Sequence, residues 1–191
     1  MKKIKLILML VVLSSIITII GCKKEKDTPT PTPTPPPTST CPTGYTGTNC
    51  ATQITPSSIR INKITITKFP QYDGSSNWDN SLDVGDYRPE LYIKLLFGTI
   101  NLFNSTIYFT DANYNQTYEF DSSNNGTLFP ISIIATSSLF TVQAFDYDSV
   151  TGDDLMGTLY FSSYNNSNGF PSILTTTSSN LEFKIYVTYI F

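Results

Sequence analysis

Apolar and polar residues alternate along several short segments in the C-terminal three quarters of the chain. The first segment runs from Ile59 to Phe69, is rich in β-branched residues and stops at Pro70. Period-two segments bounded by turn residues are typical of strands. The pattern predicts about eight strands, at residues 59–69, 91–97, 105–110, 116–120, 129–135, 139–145, 155–161 and 181–190. No helical periodicity follows the first twenty residues, so we expect an all-β, eight-stranded antiparallel β-sandwich.

The N-terminal segment has the pattern of an export signal. Lys2, Lys3 and Lys5 precede an apolar run that ends in Ile19-Ile20-Gly21-Cys22. This ending resembles a bacterial lipobox, which implies that residues 1–21 are a lipoprotein signal peptide and that lipid, palmitate included, is attached to Cys22. The alternative is an uncleaved membrane anchor, for which the apolar run is short against the ~20 residues of a spanning helix.

Residues 22–40 form a predicted linker after the lipid-bearing cysteine. A charged tract at residues 23–27 precedes a Thr-Pro tract at residues 28–40. Such proline-rich tracts are semi-rigid spacers of about 3.1 Å per residue, so this one would span roughly 40 Å. The charged tract resembles the sorting signals of lipoproteins of the Bacteroidetes type. The resemblance implies a chain anchored by lipid to the bacterial outer membrane and exposed at the cell surface.

The two cysteines that remain after Cys22 are Cys41 and Cys50. In the oxidising environment of an exported chain these two are predicted to form a disulfide. Residues 41–50 resemble the C-terminal hairpin of an EGF-like module in their two glycines and the aromatic residue between them. The four upstream cysteines of such a module are missing. We therefore expect a disulfide-closed cap or spacer, followed by one domain at residues 51–191.

Charge and composition restrict the chemistry of this domain. The chain contains no histidine, which excludes Ser-His-Asp and Cys-His catalysis and histidine-ligated zinc. From residue 51 onward there are six basic and thirteen acidic side chains, a net charge of −7 that argues against nucleic-acid binding. Nine of the thirteen acids lie in two loops, residues 73–90 and 146–154. The second loop lacks Lys and Arg, so a hard cation is the economical way to offset its four carboxylates.

These two loops and their flanking strands resemble a C2 domain, the calcium-dependent membrane-binding β-sandwich. The sequence Asp146-Tyr-Asp148, with Asp154 and Leu-Met-Gly following, is similar to the third calcium loop of that family. Phe69-Pro70 before Asp73, and Glu90-Leu-Tyr-Ile-Lys, resemble its first-loop elements. The resemblance spans about residues 58–191 and implies a C2-like fold. It also implies five Ca²⁺ ligands: Asp73, Glu90, Asp146, Asp148 and Asp154.

Three further residues in these loops have weaker predicted roles. Strand alternation points Asp153 away from Asp154, so we do not expect Asp153 to bind the ion. Val150 lies at the tip of the second acidic loop, where the family often carries an apolar residue that enters lipid. Trp78 is a second candidate membrane-tip residue, since tryptophan is common at interfaces. The alternative for Trp78 is that it packs beneath its own loop.

The sequence supports two principal functional hypotheses. In the first, a surface-tethered lipoprotein binds calcium at one end of the sandwich and engages an anionic lipid, a glycan or a cell-surface protein. In the second, a structural or adhesion lipoprotein binds a protein partner without functional calcium. A glycan hydrolase would need two carboxylates at fixed separations in a cleft, and no motif here specifies them. We therefore expect a binding protein rather than an enzyme.

Overall fold

The computed structural model describes residues 41–79, 87–135, 137–149 and 152–191. The predicted signal peptide, the lipidation site Cys22, the linker and Val150 lie outside these ranges. Within them the strands are β1 Tyr45–Thr46, β2 Thr52–Gln53, β3 Ser58–Lys68, β4 Leu91–Phe97, β5 Ile100–Asn104, β6 Tyr118–Asp121, β7 Ile131–Ile134, β8 Leu139–Asp146, β9 Asp154–Ser162, β10 Ile173–Thr177 and β11 Glu182–Ile190. A short helix, α1, spans Ser122–Asn125. No helix in the described ranges is long and apolar enough to cross a bilayer.

Two antiparallel sheets form the body of the domain. The first has the order β10-β11-β3, and the free edge of β3 is completed by β7 along its first half and by β6 along its second. The second sheet has the order β5-β4-β8-β9. Each layer is thus four strands wide, and the apolar faces of both contribute to one buried core. The predicted antiparallel β-sandwich is confirmed.

The central strand β3 shows how the sequence pattern and the sheet are matched. Ile59 and Ile61 occupy odd-numbered positions of the strand, and Ile64 and Ile66 occupy even-numbered positions, yet all four are fully buried. A simple strand would turn one of the two pairs to solvent, because side chains alternate between faces. The register of β3 against β11 shifts at Asn62, which is the extra residue of a β-bulge. The bulge returns the second isoleucine pair to the core.

Two strand predictions differ from the structure. The predicted strand at residues 105–110 is instead a loop with one isolated bridge, between Phe109 and Leu91. The edge strand that follows β4 in the chain and pairs with it is Ile100–Asn104. Gly98, with a φ of 59°, makes the tight turn that allows this pairing. The sequence pattern does not predict strand β10, Ile173–Thr177. This strand forms because its backbone pairs with β11 along five residues.

The disulfide-closed hairpin packs on one end of the sandwich. Cys41 and Cys50 form the predicted disulfide, with a Cα–Cα distance of 5.3 Å. The Tyr45 ring contacts the Phe170 ring edge-on at 5.4 Å. The same end contains the beginning of β3 and the end of β11, where the Ser57 N–H donates to the Ile190 carbonyl.

The acidic loops lie at the opposite end of the sandwich. That end contains the end of β3, the start of β4, the end of β8 and the start of β9. The eleven residues of β3 run between the two ends and cover roughly 35 Å at the usual rise per residue. The chain therefore enters the domain at one end and presents its carboxylates at the other.

Candidate metal site

Three carboxylates converge at the acidic end of the sandwich. Asp79, Glu90 and Asp146 each offer an oxygen, and these oxygens all lie within 4.8 Å of one another. Asp79 and Asp146 are buried, and Glu90 is half-buried. Buried acids at this spacing require a proton or a cation to offset their mutual repulsion. The cluster is therefore suited to hold a metal ion.

Strand pairing sets the positions of Asp146 and Glu90. Asp146 is the last residue of β8 and pairs with Leu91, the first residue of β4. Glu90 immediately precedes β4, and its backbone N–H donates to Asp146 Oδ1 at 2.7 Å. The Tyr147 N–H in turn donates to the Glu90 carbonyl at 3.0 Å. These backbone contacts hold the two carboxylates side by side.

The position of Asp79 depends on its neighbour Trp78. Trp78 is only 8% exposed, and its indole N–H donates to the Pro70 carbonyl at 2.9 Å. This contact folds the loop after β3 back against the core. Asp79, the next residue, is carried inward and becomes 5% exposed. The burial of Trp78 thus places the Asp79 carboxylate next to those of Glu90 and Asp146.

Burial dominates the electrostatics of the cluster. It raises the pKa of the Asp146 carboxyl to about 7, and the charges of Asp79, Asp148 and Glu90 act in the same direction. Burial likewise raises the pKa of Glu90 to about 7, with the Asp79 charge as the next contribution. The N–H contacts from Glu90 to Asp146 and from Asp111 to Glu90 oppose these shifts only in part. The cluster therefore holds negative charge poorly without a counterion.

One oxygen of the cluster lacks a hydrogen-bond partner. Asp146 is fully buried, and while its Oδ1 accepts from Glu90, its Oδ2 accepts no hydrogen bond from the described residues. An unpaired buried acceptor costs about 1–3 kcal/mol, and more when it is charged. Buried polar groups in folded proteins are nearly always satisfied, and either a proton or a metal ion on this oxygen would satisfy it.

The predicted ligands Asp73 and Asp154 are not members of this cluster. Asp73 is exposed in a tight turn, in which it exchanges backbone hydrogen bonds with Ser76 around Gly74. Asp154 is exposed at the start of β9, even though it pairs in register with Asp146. Asp148 also lies outside the three-residue cluster, but it is near enough for its charge to raise the pKa of Asp146.

Asp153 and Trp78 have packing roles in this structure. The Tyr92 hydroxyl donates a hydrogen bond to Asp153, which therefore points to the outer face of β4 rather than into the cluster. Trp78 is buried beneath its loop, as the packing alternative expects, and its role as a membrane-tip residue stays a prediction. The other predicted tip residue, Val150, lies outside the described residues.

Asp79 is the site residue that the sequence reasoning missed. In the sequence it resembles a solvated loop acid, because nothing in its spacing distinguishes it from Asp83 or Asp86. The signal that points to it is the adjacent Trp78, the only tryptophan in the chain. A large apolar side chain inside a polar loop indicates where the loop packs down. Residues next to such an anchor are strong candidates for burial.

A shallow recess lies beside the cluster. Tyr108 and Tyr147 stack at its rim, with ring centroids 4.7 Å apart, and both are exposed. The Lys94 ammonium also lines the recess and sits 4.1 Å from the Phe145 ring centroid. Tyr147 directly follows Asp146, so the recess and the carboxylates share one rim. It offers aromatic surface next to the candidate metal site, together with the Lys94 ammonium and the Asp153 carboxylate.

No protein-family model matches this sequence, and no curated protein does either. Several solved structures are similar to it in fold. One, described as a C2 domain, is 14% identical with a TM-score of 0.42, over 70% of this chain and 98% of that one. A C2 domain of plant extended synaptotagmin 1 is 10% identical with a TM-score of 0.38, over 71% of this chain and 95% of that one.

Human GIVD cytosolic phospholipase A2, solved in complex with methyl gamma-linolenyl fluorophosphonate, is 18% identical with a TM-score of 0.38. The match covers 70% of this chain but only 16% of the phospholipase chain. Likeness at this level concerns the arrangement of strands alone. We take the β-sandwich from the strand pairing itself, and the candidate metal site from its three carboxylates.

Proposed function

We propose that this protein is a calcium-binding module tethered by lipid to the outer membrane of a bacterium. The observation that carries the proposal is the fully buried Asp146, whose Oδ2 lacks a hydrogen-bond partner among the described residues while Asp79 and Glu90 oxygens lie within 4.8 Å of its carboxylate. A cation at this position would satisfy the unpaired oxygen and neutralise the cluster. The proposed ligands are Asp79, Glu90 and Asp146, with Asp148 next to them.

Calcium suits the cluster better than other common ions. All donors are carboxylate oxygens, which favours a hard cation over zinc or copper. Calcium–oxygen distances of 2.3–2.6 Å allow two ligands on one ion to be up to about 5 Å apart. Magnesium, at 2.0–2.1 Å, demands near-ideal octahedral geometry and usually keeps several waters. Three protein carboxylates within 4.8 Å of one another suit the more variable coordination of calcium.

The disulfide hairpin and the carboxylate cluster lie at opposite ends of the domain, which supports a site that faces away from the anchoring membrane. The linker that would follow the lipid on Cys22 enters the domain at the hairpin end, roughly 35 Å of strand away from the cluster. A tether attached there leaves the carboxylate end free to meet a partner. A bound cation with open coordination positions bridges to phosphate or carboxylate groups, so we propose an anionic membrane, glycan or protein surface as the partner.

The second candidate function dispenses with calcium. Glu90 forms a side-chain hydrogen bond with Asp79, and burial raises its pKa to about 7. A shared proton could then neutralise the pair, and the cluster would only stiffen the loops of a structural or adhesion protein. This alternative predicts that calcium leaves both stability and attachment unchanged.

The deciding experiment is a calcium titration of the purified full-length protein in detergent. We expect calorimetry to detect binding that Asp146→Asn and Asp79→Asn abolish, because each variant removes a ligand charge while keeping the side-chain shape. Glu119→Gln, an exposed acid on β6 that pairs with Lys63, is the matched control and is expected to bind like the wild type. Absence of heat at millimolar calcium in the wild type would favour the proton-sharing alternative.

Terbium provides an independent readout of the same site. The chain has a single tryptophan, Trp78, adjacent to Asp79. A lanthanide bound at the cluster should therefore emit when Trp78 is excited, and calcium should displace it. Trp78-sensitised emission that survives Asp146→Asn would locate the ion elsewhere.

A further inference from the structure

A groove at the seam of the two sheets has a chemistry unlike that of the metal site. It lies between β9 and β10 and is closed by the loop that connects them, with a volume of about 390 Å³. We call it the seam groove and define it by Tyr160, Tyr164, Asn168, Ile173, Thr175 and Tyr189. Concave sites of this size, with aromatic walls and a few polar groups, are typical of small-molecule binding.

The walls of the seam groove expose apolar surface from both sheets. Tyr160 on β9 is 57% exposed, and Ile173 on β10 is 41% exposed. Tyr189 is half-buried between them, and burial raises the pKa of its hydroxyl. A tyrosine presents an apolar ring face together with a polar hydroxyl. The groove thus offers flat ring faces next to hydrogen-bonding groups.

Among the described residues, no charged side chain lines the seam groove. The polar groups are hydroxyls and amides, such as Thr175 and Asn168, although this domain carries a net charge of −7. A charged ligand would find no counter-charge in this lining, and a purely apolar one would leave the amides unpaired. A ligand that combines neutral hydroxyl groups with an apolar face matches the lining. A neutral sugar ring has this composition.

The edge of β9 is partly closed to an added peptide strand. An incoming strand would bind the free backbone groups of this edge. The Tyr160 carbonyl already accepts a hydrogen bond from Thr176 Oγ1 at 2.8 Å. This contact links β10 to β9 across the seam and occupies an acceptor that strand addition would use.

The disulfide hairpin holds the loop that closes the seam groove. The Gln53 side-chain amide, at the end of β2, donates to the Tyr164 hydroxyl at 3.2 Å and to the Gly169 carbonyl at 3.3 Å. Tyr45 on β1 packs edge-on against Phe170. A β-carbon on Gly169 would lie 3.3 Å from the Tyr45 hydroxyl, so hairpin and loop are in close contact. The Cys41–Cys50 bond restrains the hairpin that makes these contacts.

We propose that the seam groove binds a neutral glycan, one or two sugar units deep, and that the disulfide hairpin keeps the groove in its binding shape. The Tyr160 ring stacks on a sugar face, and the hydroxyls and amides of the lining bind the sugar hydroxyls. This site is separate from the carboxylate cluster and does not depend on calcium. A lipid-tethered chain would then hold a neutral polysaccharide near the tethered end of the domain and an anionic partner at the other.

The test measures binding of the full-length protein to neutral hexasaccharides of glucose, mannose, galactose and xylose by calorimetry in EDTA. We expect at least one of them to bind, with affinity lowered tenfold or more by Tyr160→Ala and kept within twofold by Tyr160→Phe. Tyr114→Ala, at an exposed tyrosine outside the groove, is the control and should not change affinity. Absence of binding to all four sugars at 10 mM, or binding that Tyr160→Ala leaves intact, overturns the proposal.

The role of the hairpin is tested with Gln53→Ala. We expect three- to tenfold weaker sugar binding, because the loop loses two hydrogen bonds that hold Tyr164 and Gly169. Gln143→Ala removes a comparable side-chain hydrogen bond, to Thr158 within the β8–β9 pair, and should leave sugar affinity unchanged because neither residue lines the groove. The far-UV circular dichroism spectrum serves as the readout of intact fold for both variants. Equal sugar affinity in wild type and Gln53→Ala would refute the hairpin's part in the proposal. If the protein bound a threonine-rich peptide and none of the four sugars, the groove would be a site of strand addition and the glycan proposal would be overturned.

Discussion

At the scale of the residue, Asp146 has the most unusual environment in the described part of the chain. Its side chain is fully buried at the end of a core strand, where alternation along β8 would otherwise place an apolar residue. One carboxylate oxygen is anchored by the Glu90 N–H, and the other lacks a hydrogen-bond partner in the described structure. Such a residue lowers stability unless something binds it. A proton or a bound cation would relieve this cost, and the two alternatives predict different responses to calcium.

The first prediction concerns Asp146→Asn in the absence of metal. In EDTA at pH 7.5 we expect this variant to be more stable than the wild type by about 1–3 kcal/mol, because it removes a buried charge with an unpaired oxygen. In 5 mM calcium the order should reverse, since only the wild type gains the free energy of ion binding. Urea denaturation under both conditions measures this. A wild type that is more stable than the variant even in EDTA would contradict a metal role for Asp146.

At the scale of the element, bulges and glycines decide how the strands and the hairpin fit together. The bulge at Asn62 changes which residues of β3 face the core. A second register shift, between Ala144 and Phe145 on β8, leaves Met156 as the extra residue of β9. Gly44 has a φ of 89° and lies against the Phe170 ring. A β-carbon added at Gly44 would lie 2.7 Å from Phe191 Cζ. A side chain there would force the Phe170 and Phe191 rings, or the hairpin itself, to shift.

The second prediction compares Gly44→Ala with Gly98→Ala. Both positions have positive φ, so both variants should lose about 1 kcal/mol or more to backbone strain. A β-carbon at Gly98 meets no atom within 4 Å, whereas at Gly44 it overlaps the Phe170 ring. We therefore expect Gly44→Ala to cost about 1–3 kcal/mol more than Gly98→Ala. Equal losses in thermal or urea denaturation would mean that the hairpin is not packed on the domain in solution.

At the scale of the whole molecule, the domain has two ends with different chemistry. The hairpin end combines the disulfide, an aromatic cluster around Phe170 and the neutral seam groove. The other end collects buried and exposed carboxylates. Because ionising buried carboxylates costs free energy, the stability of the whole domain should depend on the protonation of its acidic end.

The third prediction is a pH dependence that calcium removes. Glu90 and Asp146 have folded-state pKa values of about 7, above their ordinary values of 4.5 and 3.8, so the folded protein binds more protons than the unfolded chain between pH 4.5 and 7. Stability in EDTA must then fall as pH rises through this window and level off above pH 7. Because solvent screens the half-buried Glu90, we expect a loss of only about 2 kcal/mol, or roughly 6 °C in Tm.

The control for this pH dependence is the same measurement with saturating calcium. The ion holds both carboxylates deprotonated, as they already are in the unfolded chain above pH 5, so stability should stay nearly constant from pH 5 to 7 instead of falling. Differential scanning calorimetry of the wild type and Asp146→Asn tests both slopes. A wild type whose stability in EDTA rises across this range would show that the two carboxylates are not buried in solution.

The sequence by itself determined the properties that depend on neighbouring residues. Alternation in β3, β8 and β11 predicted a sandwich, and the export pattern together with the cysteine count predicted the disulfide between Cys41 and Cys50. The concentration of acids in two loops also pointed correctly to one end of the sandwich, because each loop joins strands that terminate there.

Only the tertiary structure decided which acids converge and where the seam groove lies. Asp79 rather than Asp73 joins Glu90 and Asp146, because the packing of Trp78 turns the loop inward at that point and the Gly74 turn leaves Asp73 in solvent. The seam groove depends on β10, a strand whose threonine-rich sequence carries no apolar alternation and which forms by pairing with β11. Local patterns record which face of an element is apolar. The path of a loop and the meeting of two sheet edges depend on contacts between residues far apart in sequence.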